Sequence, residues 1–197
     1  STIKFINGSS SSLVKTLNLT NAQGKLIVDN HFTNVKLQAK ANIDLTTSSD
    51  VTVNAQGSFK DLSISGSGKN VTLSASTNLD DVSIINANTV VLNTLATADI
   101  EVTSNGNVTI NDASKIKGNI TITSVGSIDI KNASAALGTL TLNNERALSG
   151  SDVTITDANS VGSVSISSAG AITANTNNGL ASAKIISAKM AENSIIV

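Results

Sequence analysis

The sequence contains no cysteine, proline, tryptophan or tyrosine, and its only aromatic residues are Phe5, Phe32 and Phe59. Without cysteine there can be no disulfide and no thiolate metal site, a usage that suits a bacterial protein exported to a place where thiols are a liability. Without large aromatics, which normally supply much of a buried area, the interior has to be built in bulk from Val, Ile, Leu and Ala. Charge is scarce too, at 14% of residues with a net charge of −1, which gives no handle for nucleic acid or an anionic membrane surface. No apolar run approaches the roughly 20 residues that a membrane-spanning helix needs, so no membrane insertion is expected. An apolar share of 40% is nonetheless too high for a chain that stays unfolded. The sequence begins at Ser1, without methionine or a basic-then-apolar leader, as expected of a processed form or a fragment.

What is present is one motif, many times over. Writing Φ for an aliphatic residue, Φ-polar-Φ triplets begin at Val35, Ile43, Val51, Leu62, Val71, Val82, Ile100, Val108, Ile120, Ile128, Leu140, Val153, Val164 and Ile172, and Val90-Val-Leu92 fills the remaining gap. Alternate triplets stand one period apart: Val51 to Val71, Leu62 to Val82, Ile100 to Ile120 and Ile120 to Leu140 are equal steps. A fixed period of about 20 residues marks a stacked, repetitive architecture. Successive side chains of a strand face opposite ways, so both Φ positions point inward and the Thr, Ser or Asp between them points out. The separators, such as "SDV", "GNI" and "GSI", hold the Gly, Asn, Asp and Ser that tight corners require.

Within each period a short step, as from Ile100 to Val108, alternates with a longer one, as from Val108 to Ile120. Each coil therefore has two unequal sides. The longer one carries a further aliphatic, Ile116, Leu137, Leu148 or Val161, read here as a third inward position. The expected fold is all-β: a parallel right-handed β-helix, or β-solenoid, with a coil of about 20 residues. Right-handedness follows from the crossover rule. Nine or ten such coils at roughly 4.8 Å each would make a rod on the order of 45 Å long. A β-sandwich is the alternative, but antiparallel hairpins do not enforce a fixed translation. Residues 1–34 read as irregular N-terminal coils or a cap, including a polar loop at 7–15. Residues 35–174 form the regular solenoid. Residues 175–197 form a cap or joining segment, with one short amphipathic helix followed by a terminal strand at Ile195, Ile196 and Val197.

Little in the sequence carries chemistry. His31 is the only histidine, and "DNHFTN" reads as a surface turn. Asp80-Asp81 reads as a turn residue with a solvated neighbour. Asp152 and Asp157 lie in oxygen-rich text, but neither a glycine-rich calcium repeat nor an EF-hand loop is present, so no metal and no cofactor is expected. Six Asn-X-Ser/Thr triplets, at Asn7, Asn18, Asn70, Asn107, Asn119 and Asn132, are what an Asn- and Thr-rich text produces. Thr pairs at Thr121/Thr123, Thr139/Thr141 and Thr154/Thr156 resemble ice-binding arrays, but Glu101, Asp129 and Lys131 interrupt them. Charge is segregated along the chain. Residues 1–69 hold seven lysines and four acids, whereas residues 70–114 hold five acids and no base. In a solenoid that is an axial pattern, suited to staggered or end-on association that salt would screen.

The repeated "VTI", "ITI" and "VSI" triplets, together with the absence of cysteine, resemble the β-solenoid shafts of bacterial surface proteins: filamentous-haemagglutinin-like adhesins, autotransporter passengers and surface-layer proteins. The resemblance implies an extracellular or cell-surface location and a scaffolding or adhesive role. The expected function is a non-catalytic structural subunit whose partner is itself, joined head-to-tail or laterally into a filament or layer. Ile3, Phe5, Ile195, Ile196 and Val197 are the candidate contacts. An adhesin rod that binds surface glycans or proteins is the alternative. A polysaccharide lyase is disfavoured by a single arginine, Arg146, and the missing Trp and Tyr, and an ice-binding protein by the interrupted Thr rows.

Overall fold

The computed structural model describes residues 2–5, 16–28, 32–57, 60–134, 137–144, 151–158, 161–176, 182–187 and 195–196. Every regular element among them is a strand, and every strand pairing is parallel. The strands fall into two ladders. The first runs through β1 (Thr2–Phe5), the second half of β2 (Thr16–Val28), the second half of β3 (Asn34–Thr47), β5 (Leu62–Ser65), β7 (Val82–Ala87), β9 (Ile100–Ser104), β11 (Ile120–Ser124), β13 (Thr139–Asn144), β15 (Ser163–Ser168) and β17 (Ser182–Ser187). The second takes the first halves of β2 and β3, then β4 (Val51–Gly57), β6 (Val71–Ala75), β8 (Val90–Leu92), β10 (Val108–Ile110), β12 (Ile128–Lys131), β14 (Val153–Ala158), β16 (Ile172–Thr176) and β18 (Ile195–Ile196). The chain visits the ladders alternately, which is the β-solenoid expected from the triplets.

Register shows why the triplets repeat. Ile43, Leu62, Val82, Ile100, Ile120, Leu140 and Val164 are successive partners in one row, and all are buried. Two residues along, Leu45, Ile64, Ile84, Val102, Ile122, Leu142 and Ile166 make a second buried row. Each aliphatic is covered by the one above and the one below, which no single coil could achieve. The third inward position is also where the spacing puts it: Ile116, Leu137 and Val161 are buried, with Leu79. This third side is not regular strand, but its backbone still bonds from coil to coil, as in Leu79 N–H to Ala96 O (2.9 Å) and Gly138 N–H to Gly118 O (2.8 Å). Leu148 lies outside the described residues.

The coil count is corrected: about seven turns stand about 20 residues apart, fewer than the nine or ten expected, and less evenly spaced end rungs bring each ladder to ten strands. Some steps are stretched: Leu140 pairs with Val164, Ile128 with Val153, Thr2 with Lys25 and Ile172 with Ile195, each a longer interval than Ile100 to Ile120. Within 175–197, where one short helix is expected, Ser182–Ser187 is a strand that pairs along its whole length with β15, and residues 177–181 and 188–194 lie outside the described residues. An open sheet edge beside "SAKIIS" offers a backbone partner to every other residue, and this outweighs the local helix preference of Ala and Lys. Regular pairing also extends through β2, well before Val35. The loop expected at 7–15 lies outside the described residues.

One core position breaks the pattern. Thr97, on the third side, is only 5% exposed, and its hydroxyl has no hydrogen-bond partner among the described residues. A buried hydroxyl without a partner costs on the order of 1–3 kcal/mol. Thr97→Val keeps the shape and removes that cost. The midpoint of chemical unfolding should rise by an amount equivalent to about 1 kcal/mol; an unchanged or lower midpoint would mean that the hydroxyl is satisfied.

Candidate functional site

Three features of the surface have enough structure to serve as sites: the corners, the open grooves and the end rungs. The corner that precedes each strand holds a side-chain ladder. In the first ladder, Asp81 Oδ1 accepts the Asp99 N–H (3.1 Å), Asp99 Oδ1 accepts the Asn119 N–H (2.7 Å), and Asn119 Oδ1 accepts the Thr139 N–H (3.0 Å). In the second, Asp50 Oδ1 accepts the Asn70 N–H (2.9 Å), Asn70 Oδ1 the Thr89 N–H (3.2 Å), and Asn107 Oδ1 the Ser127 N–H (2.9 Å). A short side-chain acceptor one residue before the strand thus takes up an amide that the turn would leave unpaired. Asn70, Asn107 and Asn119 begin Asn-X-Thr triplets for this reason: the corner wants Asn and the strand that follows reads Φ-Thr-Φ. Asp81 behaves as the turn residue expected, and its exposed neighbour Asp80 uses its backbone to bond the coils on either side.

At the opposite end of β9, β11, β13 and β15 the corner turns inward. Ser104, Ser124, Asn144 and Ser168 are buried. The Ser124 hydroxyl lies 2.7 Å from Gly106 O, to which it donates, and accepts the Gly126 N–H at 2.9 Å. Ser168 takes the Gly170 N–H at 3.1 Å, and the Asn144 amide donates to Gly126 O (3.3 Å) and Ser151 O (3.1 Å). The Ser-x-Gly spacing in "SNG", "SVG" and "SAG" is the available signal, and sequence reading alone assigns these serines only to turns. Glycine is required here by close approach: a Cβ at Gly126 would stand 2.6 Å from Asn107 N, and one at Gly118 would stand 2.6 Å from Ala98 O.

Four acids line one groove. Asp61, Asp81, Asp99 and Glu101 border an open depression of about 620 Å³ floored by Ser63 and Ser83, without a base or an aromatic among its lining residues. A second depression beside it is bordered by Lys25, Asp44 and Ile85. Among the described residues ion pairs are few and exposed: Lys25–Asp44 and Lys131–Asp129, both at 3.8 Å, contribute little. No group of three or more metal-ligating side chains occurs among the described residues. Asp152 Oδ1 instead accepts the Ala171 N–H (2.9 Å). The Thr rows are interrupted as the sequence indicated. Thr121 and Thr141 follow Glu101, and Thr123 is followed by Asn143. In the second ladder Thr109 is followed by Asp129 and then Thr154. His31 and Arg146 lie outside the described residues.

The end rungs hold the candidate joining residues. Ile3 and Phe5 are the register partners of buried Leu26 and Val28. They therefore continue the interior rows, but β1 has no further partner among the described strands, and Ile3 is 50% exposed. Phe5 is partly buried against the core. At the far end Ile195 pairs with Ile172 and Ile196 with Thr173. Val197 lies outside the described residues. The structure thus puts Ile3 and Phe5 on one end rung and Ile195 and Ile196 on the other. No protein-family model, curated protein or solved structure matches the chain.

The structural role of the corners can be measured. Ser124→Ala leaves the Gly126 amide without its acceptor and should cost about 1–3 kcal/mol in chemical denaturation, whereas exposed Thr121→Ala should stay within about 0.5 kcal/mol. Equal effects would mean that the inner corner is not structural. Asp112 is held below the ordinary carboxylate range, chiefly by the Ser114 hydroxyl, with the Ser114 amide, Asn132 and Thr94 assisting against partial desolvation. A folded-state pKa that is depressed gives stability present above the unfolded value, near 3.9, and lost as pH falls through the folded one. Asp112→Ala should therefore be less stable than the parent near neutral pH, and the gap should close as pH falls below the ordinary carboxylate value; a gap independent of pH would assign the loss to packing.

Proposed function

We propose that the chain is a non-catalytic structural subunit that joins copies of itself end to end into an extracellular filament or surface layer, at the bacterial surface that the triplet resemblance implies. The observation that carries this reading is Ile3: half exposed, on an end rung, in a row whose other described members, from Leu26 to Ile166, are buried. An exposed strand edge with an apolar row behind it is a template for another strand, and a second copy of the same coil matches it in spacing and chemistry. Ile195, Ile196 and Val197 are the corresponding contacts at the other end. The lack of any base or aromatic along the acidic groove supports a role other than cleavage of polysaccharide. An adhesin rod is the second reading, favoured by the same open groove, whose carboxylates would suit a cationic protein segment better than an acidic glycan.

Purified protein should form rods by negative-stain electron microscopy, with a sedimentation profile that grows with concentration. Ile3→Lys should abolish rods while leaving the strand circular dichroism unchanged, because the residue already faces solvent. Dispersed monomers of the unsubstituted protein at high concentration would remove the reading.

A further inference from the structure

We propose that the joint between copies has one register: β17 of one copy pairs in parallel with β1 of the next, Ile185 opposite Ile3, while β18 pairs with the Thr16–Leu19 half of β2. This rests on the end-to-end reading and adds polarity, register and repeat to it.

The first argument is the supply of edges. Among the described strands, β1 pairs only with β2, β17 only with β15 and β18 only with β16, and Thr16–Leu19 pairs only with β3. Each end of the rod thus offers one open edge per ladder. The second argument is the step. Because the chain alternates between ladders, the first described strand, β1, belongs to the first ladder and the last, β18, to the second. One end protrudes by half a coil on the first ladder and the other by half a coil on the second. Placed head to tail, the two protrusions fill each other's recess: the order of strands runs β17, β18, then β1 and Thr16–Leu19 of the next copy, with the alternation unbroken. The third argument is direction. All pairings in the rod are parallel, and a head-to-tail joint keeps them so, whereas a two-fold joint would pair the terminal strands antiparallel and set one edge against itself. The fourth is the row. Leu26, Leu45, Ile64, Ile84, Val102, Ile122, Leu142 and Ile166 lead in register to Ile185 at one end and to Ile3 at the other. Joining these ends closes the row over Ile3, which is half exposed.

With the end rungs included, each ladder holds ten strands, so the filament would repeat every ten rungs, about 48 Å at roughly 4.8 Å per rung.

The absence of cysteine makes the register directly testable. In the proposed joint Thr2 stands opposite Lys184 at about one strand spacing, within the roughly 4.4–6.8 Å that a disulfide bridges between Cα atoms. A Thr2→Cys/Lys184→Cys chain, oxidised after assembly, should run as a ladder of covalent multimers on a non-reducing gel. Lys4→Cys/Lys184→Cys, two residues out of register, should give at least tenfold less, and neither single variant should give dimers. Micrographs of the unsubstituted protein should show the ten-rung repeat. Filaments that cross-link only in the shifted pair, or single variants that dimerise, would overturn the register while leaving end-to-end assembly standing. No filaments from the unsubstituted protein would overturn both.

Discussion

The stacking of one coil on the next in fixed register is the constraint on which the molecule depends. Strand amides find their carbonyls in a neighbouring coil, and inward aliphatics are shielded by their counterparts above and below. A slip of one residue would exchange the two faces of a strand and bring Thr into the interior. Steps between partners nevertheless vary, being shorter from Val82 to Ile100 than from Ile100 to Ile120, without disturbing the rows. The corners absorb the difference, and that is why they hold the Asp, Asn and Ser ladders: each side chain supplies the acceptor that an irregular turn fails to provide.

The same constraint explains the composition. The interior is a few branched side chains across, and its rows need residues of matching width at every level, which Val, Ile and Leu satisfy and large rings do not. Phe5 belongs to an end rung, and Phe32 precedes the first residue of β3 by two positions. Outside, the same short period leaves room for little but small polar residues, so charge is sparse. The carboxylates of Asp81 and Asp99 are occupied in holding the next coil's amide, which accounts for an acidic column without calling on a ligand.

Much of this is legible in the sequence, and the parts that are not have physical reasons. The rows through Ile100, Ile120 and Leu140 and the third position at Ile116, Leu137 and Val161 can be read because burial imposes a period on apolar residues. The buried Ser104, Ser124 and Ser168 stay hidden because serine serves equally in an outward turn, and only the Gly two residues later marks it. Length alone overstates the number of regular turns because it does not reveal where steps stretch. Within 175–197 the stretch Ser182–Ser187 is a strand despite its Ala and Lys, because propensity is local and an open edge at β15 is not. The proposed joining residues are legible only as apolar text near the two ends. What exposes Ile3 is that β1 has one partner strand among the described residues, a property of position along the rod that residue type does not encode.

The near-constant step between partners also has a kinetic consequence. Adding a coil to an existing stack closes a loop of about the same length wherever the stack happens to be, so the entropic toll of each addition hardly changes along the rod. No coil is singled out by topology as the place to begin. Folding would start wherever two adjacent rungs first hold and then travel outwards in both directions, and loss of structure would run inwards from the extremities. The proposed joint, by capping an extremity, would therefore do more than lengthen a fibre: it would remove the point at which unravelling starts.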